Sequence, residues 1–441
     1  LRAPQWQELG EILAEAVSNQ HLMQLVDFGG LDEPPPPPVH AVPLTAMPYI
    51  DLAVIELGED STPLAAGNVL FSPRYPDGIV VPVGRDLAAT SVRWLRWDTE
   101  SWGQGRTGDR ELTRAPLTYR AEFMSPYTGC VHKLMIAFQV LRLADEGILD
   151  LDAEYAYLPE CNDGPERSAR PGTATLTAWL DRLITVSDNQ AGCALIKLLH
   201  DLDRVGELNG LLADLGLSTL QLGGTNPRSG GRWRPGLITM TALDSARLLL
   251  LISGAPGVLW ETPAGGEVRS SLLSPRSRKL LMDLMAEQGY NDMLSSANWI
   301  GSEDRLPGIP HSPPERWVDR RSGHIAFASE DFGYDVRAHL GEGEVAFAHK
   351  TGNTHTVSAD VGIVSSLPGH PFRHYIVAIF TTLGSRFADP RLAAGTTAPD
   401  EVYTERIAGI GRAIDVALTR RARARGGPVH QGTGADGGRA R

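Results

Sequence analysis

The chain is short of thiols and of one kind of cation. Cys130, Cys161 and Cys193 are its three cysteines, and Lys133, Lys197, Lys279 and Lys350 are its four lysines, against 37 arginines. Cysteines that are sparse and odd in number argue against a disulfide framework and fit a reducing compartment. Positive charge is also in deficit. With 41 Lys and Arg against 53 Asp and Glu, the formal net charge is -12, which excludes nucleic acid as the main partner because phosphate binding needs a basic surface. Long apolar runs are missing too. None reaches the roughly 18–20 residues that cross a bilayer, so no membrane partner is expected. The first residues, "LRAPQWQELGEILAEAV", lack a basic segment followed by an apolar core, so no signal peptide is visible. A cytoplasmic protein is expected, although a chain without an initial Met is compatible with removal of an upstream segment.

What is present suffices for a large folded body: 42% hydrophobic and 21% charged residues over 441 positions lie in the globular range. Residues 5–26 carry a helical rhythm through Leu9, Ile12, Leu13, Ala16 and Val17. "DEPPPPPVH" then interrupts regular structure, since proline fixes φ and lacks an N–H, and reads as a stiff connector. "YIDLAVIELG" alternates as a strand does, with Gly58-Glu59-Asp60 as a turn. Within residues 65–120, "DGIVVPVG" and "VRWLRWD" look extended and "WGQGRTGD" looks like loop. From Lys133 the pattern turns helical, and Gly147 ends that helix. Helical signals continue through "TLTAWLDRLITVSDNQAGCALIKLLHDL", "VGELNGLLADLGL", "TALDSARLLLLISG" and "SPRSRKLLMDLMAEQ". Residues 289–340 form a polar, Pro- and Gly-rich insertion. "EVAFAHKTG", "VSADVGIVSS" and "RHYIVAIFTTLG" read as successive strands, and "EVYTERIAGIGRAIDVALTRRA" as a terminal helix.

The predicted class is α+β, an antiparallel sheet flanked by helices plus an all-helical subdomain. The N- and C-terminal pieces share the sheet. The predicted boundaries are 1–44 for a helix and Pro-rich connector and 45–424 for the main domain, with insertions at about 65–120 and 289–340 that are candidates to shape a substrate pocket. The tail, 425–441, has too few apolar side chains to order itself.

Three short motifs stand in order along this frame. In "YTGCVHK", Cys130 and Lys133 lie one helical turn apart, where sulfur and amine can meet. A helix N-terminus and an adjacent ammonium both favour thiolate. In "ITVSDNQAG", the Ser187 hydroxyl can relay a proton and the Asn189 amide can donate and accept, or the tripeptide is an ordinary helix cap. In "AHKTG", Lys350 and Thr351 can hold an anionic or carbonyl group. Gly352 on an edge strand lets a ligand backbone approach, or the motif is a strand end running into a turn. Each is weak alone.

Together, Cys130-x-x-Lys133, Ser187-Asp188-Asn189 and Lys350-Thr351-Gly352 resemble the S-x-x-K, S-D-N and K-T-G set of the serine β-lactamase and penicillin-binding protein superfamily. The likeness to its class A branch runs from about residue 45 to 420. The resemblance implies Cys130 in the nucleophile position and Lys133 as the residue that deprotonates or orients it. Ser187 would be the proton shuttle, Asn189 the substrate-amide holder, and Lys350 with Thr351 the substrate anchor. It also implies an oxyanion hole from the backbone N–H groups of Cys130 and Asn353. Neither metal nor cofactor is implied. Cys130 and His132 lack a second ligand cluster of suitable spacing.

Two departures set this chain apart. The family's serine is a cysteine here, and Ser125 is no substitute because position 128 is Thr. A Ser→Cys exchange made to study a serine enzyme would leave the same sequence. The loop "LQLGGTNPRSGGRWRPGLITMTALD" has no acid before Asp244, whereas class A β-lactamases resemble one another in carrying there a glutamate that activates the deacylating water. Glu207-Leu208-Asn209 mimics that pattern from within a helix and reads as surface. His132 and Cys193 read as packing. His349 and His355 could line the site, and Arg232, Trp233 and Arg234 could touch substrate. A thioester reacts with amines relative to water more readily than an oxygen ester does. The expected activity is therefore transfer of an acyl group from a small-molecule ester or amide donor to an amine acceptor, similar to β-lactamase-like transacylases of capuramycin-type nucleoside-antibiotic biosynthesis. A hydrolase (β-lactamase, esterase or D-amino-acid peptidase) and a non-catalytic acyl-binding domain remain the alternatives.

Overall fold

Alternating apolar side chains build a central sheet whose two faces take different covers. In the computed structural model, which describes residues 3–27, 42–98, 110–262, 264–301, 307–328, 330–390 and 404–426, six strands form it. They are β1 (Ile50–Leu57), β2 (Pro63–Ser72), β3 (Tyr75–Val81), β4 (Val345–Asn353), β5 (Ser358–Ser366) and β6 (His374–Thr381). Their spatial order is β4-β5-β6-β1-β2-β3, and every neighbouring pair is antiparallel. Strands 50–81 and 345–381 thus close one sheet from opposite ends of the chain, as expected. Residues 63–81 depart from expectation. They fall inside the segment read as an insertion, yet they supply β2 and β3 of the sheet itself.

Ile50, Leu52 and Val54 of β1 face one apolar cluster, while Ala53, Ile55 and Leu57 face the other. The first face is covered by α1 (Ala3–Ser18), through Leu9 and Leu13, and by the terminal helix α8 (Thr404–Ala424), through Ile407, Ile410 and Ile414. α1 ends eight residues before the sequence pattern suggested, in a 3-10 turn (Leu22–Gln24) and a short strand (Val26–Asp27). It lies against β2 and β3, so it belongs to the sheet's packing. The proline run and residues 102–109 and 427–441 lie outside the described residues.

The second face carries the helical block: α2 (Lys133–Asp145), α3 (Leu176–Thr185), α4 (Asn189–Asp201), α5 (Val205–Asp214), α6 (Ala242–Ser253) and α7 (Pro275–Ala286). α2 is its axis, with nearly every side chain from Lys133 to Leu141 buried. Each fully buried aliphatic chain there contributes about 1.5–3 kcal/mol. Gly147, at φ 73°, follows α2 in the left-handed conformation that glycine adopts without strain. Asp51, buried in β1, accepts a 2.8 Å bond from Ala242 N at the start of α6 and another of 2.8 Å from Asn68 Nδ2. That carboxylate fastens the helical block to the sheet. Residues 289–340 form turns and a small hairpin (Ala326–Phe327 with Glu330–Asp331) around a satellite cluster of Ile325, Phe327 and Val336. Among the described residues no helix is long and apolar enough to cross a membrane.

Candidate active site

Three chain segments meet at the edge of the helical block. The first is the 3-10 turn Gly129–His132, which runs straight into α2. It places Cys130 partly exposed on the floor of a cavity of about 1070 Å³. The second is the link between α3 and α4. Asp188 caps α4, accepting a 2.8 Å bond from Gln190 N, and pairs with Arg182. The cap throws Ser187 into the left-handed region, φ 54°, which a non-glycine residue adopts only where its surroundings fix it. The third is β4, which brings Lys350, Thr351 and Gly352 along the edge of the sheet.

The side chains converge as the motifs suggested. Lys133 Nζ lies 3.3 Å from Cys130 Sγ, and donates to Asn189 Oδ1 at 2.8 Å, to Ser187 Oγ at 3.3 Å and to the Ser187 carbonyl. Lys350 Nζ donates to Ser187 Oγ at 2.8 Å and to Thr351 O at 2.7 Å. Ser187 Oγ therefore sits between two ammonium groups, and Cys130 Sγ beside one of them. Both lysines are fully buried. Among the described residues no carboxylate lies within ion-pair distance of either.

That charge arrangement sets the protonation states. Burial pushes the Cys130 thiol up, but Lys133, Lys350 and the Ser187 hydroxyl outweigh it, and the net shift is downward. Burial drives Lys350 down to about 7, against the opposing pull of the Cys130 thiolate; Lys133 adds to the fall. A buried ammonium without a carboxylate partner sheds its proton readily. His132 is pushed down to about 3 by burial and by Lys133. It is a neutral packing residue, its Nδ1 2.7 Å from Gly129 O.

Gly352 lines the cavity and also packs against the nucleophile turn. A Cβ there would stand 2.5 Å from Cys130 N, and one on Gly129, at φ 51°, would stand 3.0 Å from the Gly352 carbonyl carbon. The close approach is between the chain's own nucleophile turn and β4, more than between strand and ligand. The same Gly129 Cβ would lie 3.3 Å from Asn353 N, so the backbone nitrogens of Cys130 and Asn353 border one spot. Asn189 Oδ1 accepts from Lys133 and lies 3.8 Å from Cys130 Sγ, and the residue lines the cavity.

Several expected neighbours stand elsewhere. His349 is buried behind β4, its ring nitrogens 2.8 Å from Asp360 Oδ1 and 2.8 Å from Asn291 Oδ1, and His355 reaches Ser385; neither lines the cavity. Ser125 Oγ donates to Met240 O, Cys193 is core, and Glu207 pairs with Arg142 and Arg204 on the α5 surface. Arg232 and Arg234 line a separate cavity of about 370 Å³ with Asp163. Trp233, from the same acid-free loop, lines that cavity too and also reaches Lys133. Its ring lies 5.4 Å from Lys133 Nζ and 4.7 Å, edge to face, from His132, and its indole donates to Gly230 O at 2.8 Å.

Residues the motifs did not point to complete the cavity. Tyr290, Asp292, Trp299, Glu330 and Phe332 come from the 289–340 segment, and Glu166 and Arg170 from the turn before α3. No periodicity marks them; only the aromatic and acidic content of that segment could have drawn notice.

A sequence model described as the β-lactamase enzyme family matches residues 121–414. No curated protein matches the chain. Similar solved structures include a mutant of PBP-A in acyl-enzyme complex with penicillin G, at 17% identity, covering 94% of this chain and 97% of that one with a TM-score of 0.47. A class A β-lactamase representative from Bacteroides cellulosilyticus follows at 16% identity, 85% and 94% coverage and a TM-score of 0.44. A β-lactamase from Chitinophaga pinensis shows 16% identity, 93% and 98% coverage and a TM-score of 0.43.

Proposed function

The chain belongs to the β-lactamase enzyme family, and from that premise we propose that Cys130 takes an acyl group as a thioester and passes it to an amine. One observation carries the reading. The thiol lies 3.3 Å from a buried lysine and beside a hydroxyl bridged to a second buried lysine, with no carboxylate within ion-pair distance of either ammonium among the described residues. In this arrangement the sulfur is the anion that balances the site, a nucleophile formed before substrate arrives.

The proton accounting follows from the bonds. The Cys130 thiolate forms the C–S bond to the donor carbonyl, and the oxyanion accepts from the backbone N–H groups of Cys130 and Asn353. The C–O or C–N bond of the donor breaks, and its leaving group takes the Ser187 proton, which Lys350 replaces. Lys350 is now a neutral amine, a stable form for a group at about 7. An acceptor amine then forms the C–N bond, and its proton passes through Ser187 to Lys350. The C–S bond breaks, and its electron pair returns to sulfur beside Lys133. Lys133, with its donors spent on sulfur, Ser187 and Asn189, orients the nucleophile.

Hydrolysis would need a base for water. Trp233, rather than an acid, covers the free flank of Lys133, which supports transfer. The test is direct. Mix the protein with a methyl ester or β-lactam donor, with and without amines, and follow intact mass and products. Amide formation that disappears in Cys130→Ala is the expected result. Rapid hydrolysis that amines do not divert would reassign the protein as a hydrolase, and the absence of any adduct or product would remove the catalytic reading.

A further inference from the structure

The wall of the cavity formed by residues 290–332 has a composition that selects its ligand. Three aromatic side chains line it, Tyr290, Trp299 and Phe332. Trp299 stands edge to face with Phe332 at 5.2 Å, and Tyr290 with Phe327 at 4.7 Å. Interleaved with them are carboxylates. Glu330 is exposed on the hairpin, and Asp292 has its Oδ1 shut off from solvent with no hydrogen-bond partner. Across the cavity, Glu166 adds a third. Among the described residues none of these three has an ion-pair partner, whereas Asp188 is matched by Arg182 and Asp331 by His324. Arg170 is the one lining arginine without such a match.

These groups are gathered near the nucleophile. Tyr290 shows it: its phenol is held un-ionised by burial and then by Glu330, Asp292, Cys130 and Glu166, all close enough to act on one hydroxyl. Carboxylates interleaved with aromatic faces are the chemistry that holds an organic cation, through charge-assisted bonds and through the ring quadrupole. The same wall repels a carboxylate or phosphate. The lysine pair belongs to other elements, β4 and α2.

We propose that the acceptor is an amine carrying a second positive charge, held by Glu330, Asp292 and the Tyr290–Trp299–Phe332 wall while its free amino group reaches the Cys130 thioester. The inference rests on the transfer reading for its role in turnover, but binding of the cation does not depend on turnover. Burial, then Asp360 and Glu330, raise the Asp292 carboxyl to about 7 against the pull of Lys350. A bound cation would bring it down, so ligand binding should release protons near neutrality.

Two measurements separate the claims. In the first, 1,4-diaminobutane, 4-amino-1-butanol and 4-aminobutanoate are titrated into the Cys130→Ala protein by calorimetry, in buffers of different ionisation enthalpy. The diamine should bind about tenfold or more tightly than the amino alcohol, with proton release, and the amino acid should bind worst. Glu330→Gln, on the exposed hairpin, and Asp292→Asn should each weaken both the diamine and the amino alcohol, since each presents an ammonium to the same carboxylates, and the diamine by the larger factor. Equal binding of the three, or none, overturns the proposal whether or not the enzyme transfers acyl groups. In the second, the same amines compete for the acylated wild-type enzyme. Diamine preference that Glu330→Gln abolishes supports the proposal. Amide formation with all three at equal KM overturns it and leaves transfer standing. Diamine binding without any amide would refute this acceptor role together with the transfer reading.

Discussion

Replacing Lys133 by Met tests the ion pair on which the nucleophile rests. The two charges are 3.3 Å apart, which at an effective dielectric of about 20 corresponds to on the order of 5 kcal/mol. Burial of the sulfur opposes that attraction, and Lys350 remains as a second cation, so only part of it is lost. If roughly a quarter survives these offsets, the loss is still about 1.4 kcal/mol, one decade in thiolate population. The sign is fixed by the charges. Cations lower the thiol, so the thiolate is present above the shifted value and lost as pH falls through it. Removing Lys133 moves that loss to higher pH. Iodoacetamide alkylation should therefore slow about tenfold or more at neutral pH in Lys133→Met, with its profile displaced upward over about pH 5–9. Peptide mapping must separate Cys130 from the partly exposed Cys161. A wild-type thiol that titrates like a free one, or a variant with the wild-type profile, would refute the argument. Circular dichroism guards against the trivial outcome, since the Ser187 carbonyl and Asn189 Oδ1 lose a donor in this variant.

On the proposed mechanism Lys350, at about 7, gives a proton during acylation and takes one during transfer. In single-turnover experiments acylation should fall as pH rises through about 7, and amine-dependent deacylation should rise with pH at a lower value, because the Cys130 thiolate that holds Lys350 up is gone from the acyl-enzyme. Parallel profiles for the two steps would show that Lys350 does not carry the proton. Trp233→Ala should open the flank of Lys133 to water and speed amine-independent decay of the acyl-enzyme by about an order of magnitude, read by intact mass against time. A decay rate equal to wild type would mean that the ring packs without excluding water.

The parts of this molecule that the sequence makes legible are those governed by short-range rules. Alternation in "YIDLAVIELG" fixes which side chains of β1 face α1 and which face the helical block. Gly147 ends α2 because a left-handed residue is needed there. The lysines stood out because the chain has so few of them, and two of the four occupy the site. What stayed hidden depends on long-range closure. Residues 63–81 read as an insertion because β2 and β3 gain their meaning only from pairing with β1, whose other neighbour is more than three hundred residues away. His349 sits beside Lys350 in sequence yet points to the opposite side of β4, as alternate residues of a strand must. The bond from Lys133 to the Asn189 side-chain carbonyl likewise appears only in the folded site. The wall from Tyr290 to Phe332 has no period to detect, because it is built from turns whose side chains meet only after the hairpin docks.

The charge balance of the site also bears on why the intermediate should be transferred rather than stored. With free thiolate, one anion serves two buried ammonium groups. Acylation removes that anion, and the site then tolerates only one ammonium well. Lys350, bonded to the Ser187 hydroxyl at 2.8 Å, is the one that can discharge, because it delivers its proton to the departing group. The acyl-enzyme is thus a state with a buried neutral amine poised to recover a proton. Only an attacking nucleophile with a proton to lose can restore the ion pair. Water qualifies chemically, but the loop beside Lys133 contributes an indole where water activation would need a carboxylate, and a thioester favours nitrogen over oxygen. An amine satisfies the same requirement without a separate base, since its proton leaves after the C–N bond has formed, when the nitrogen has become strongly acidic. On the proposed mechanism the cysteine, the discharged lysine and the tryptophan therefore act in one direction: each makes water a poorer partner than an amine for the same carbonyl.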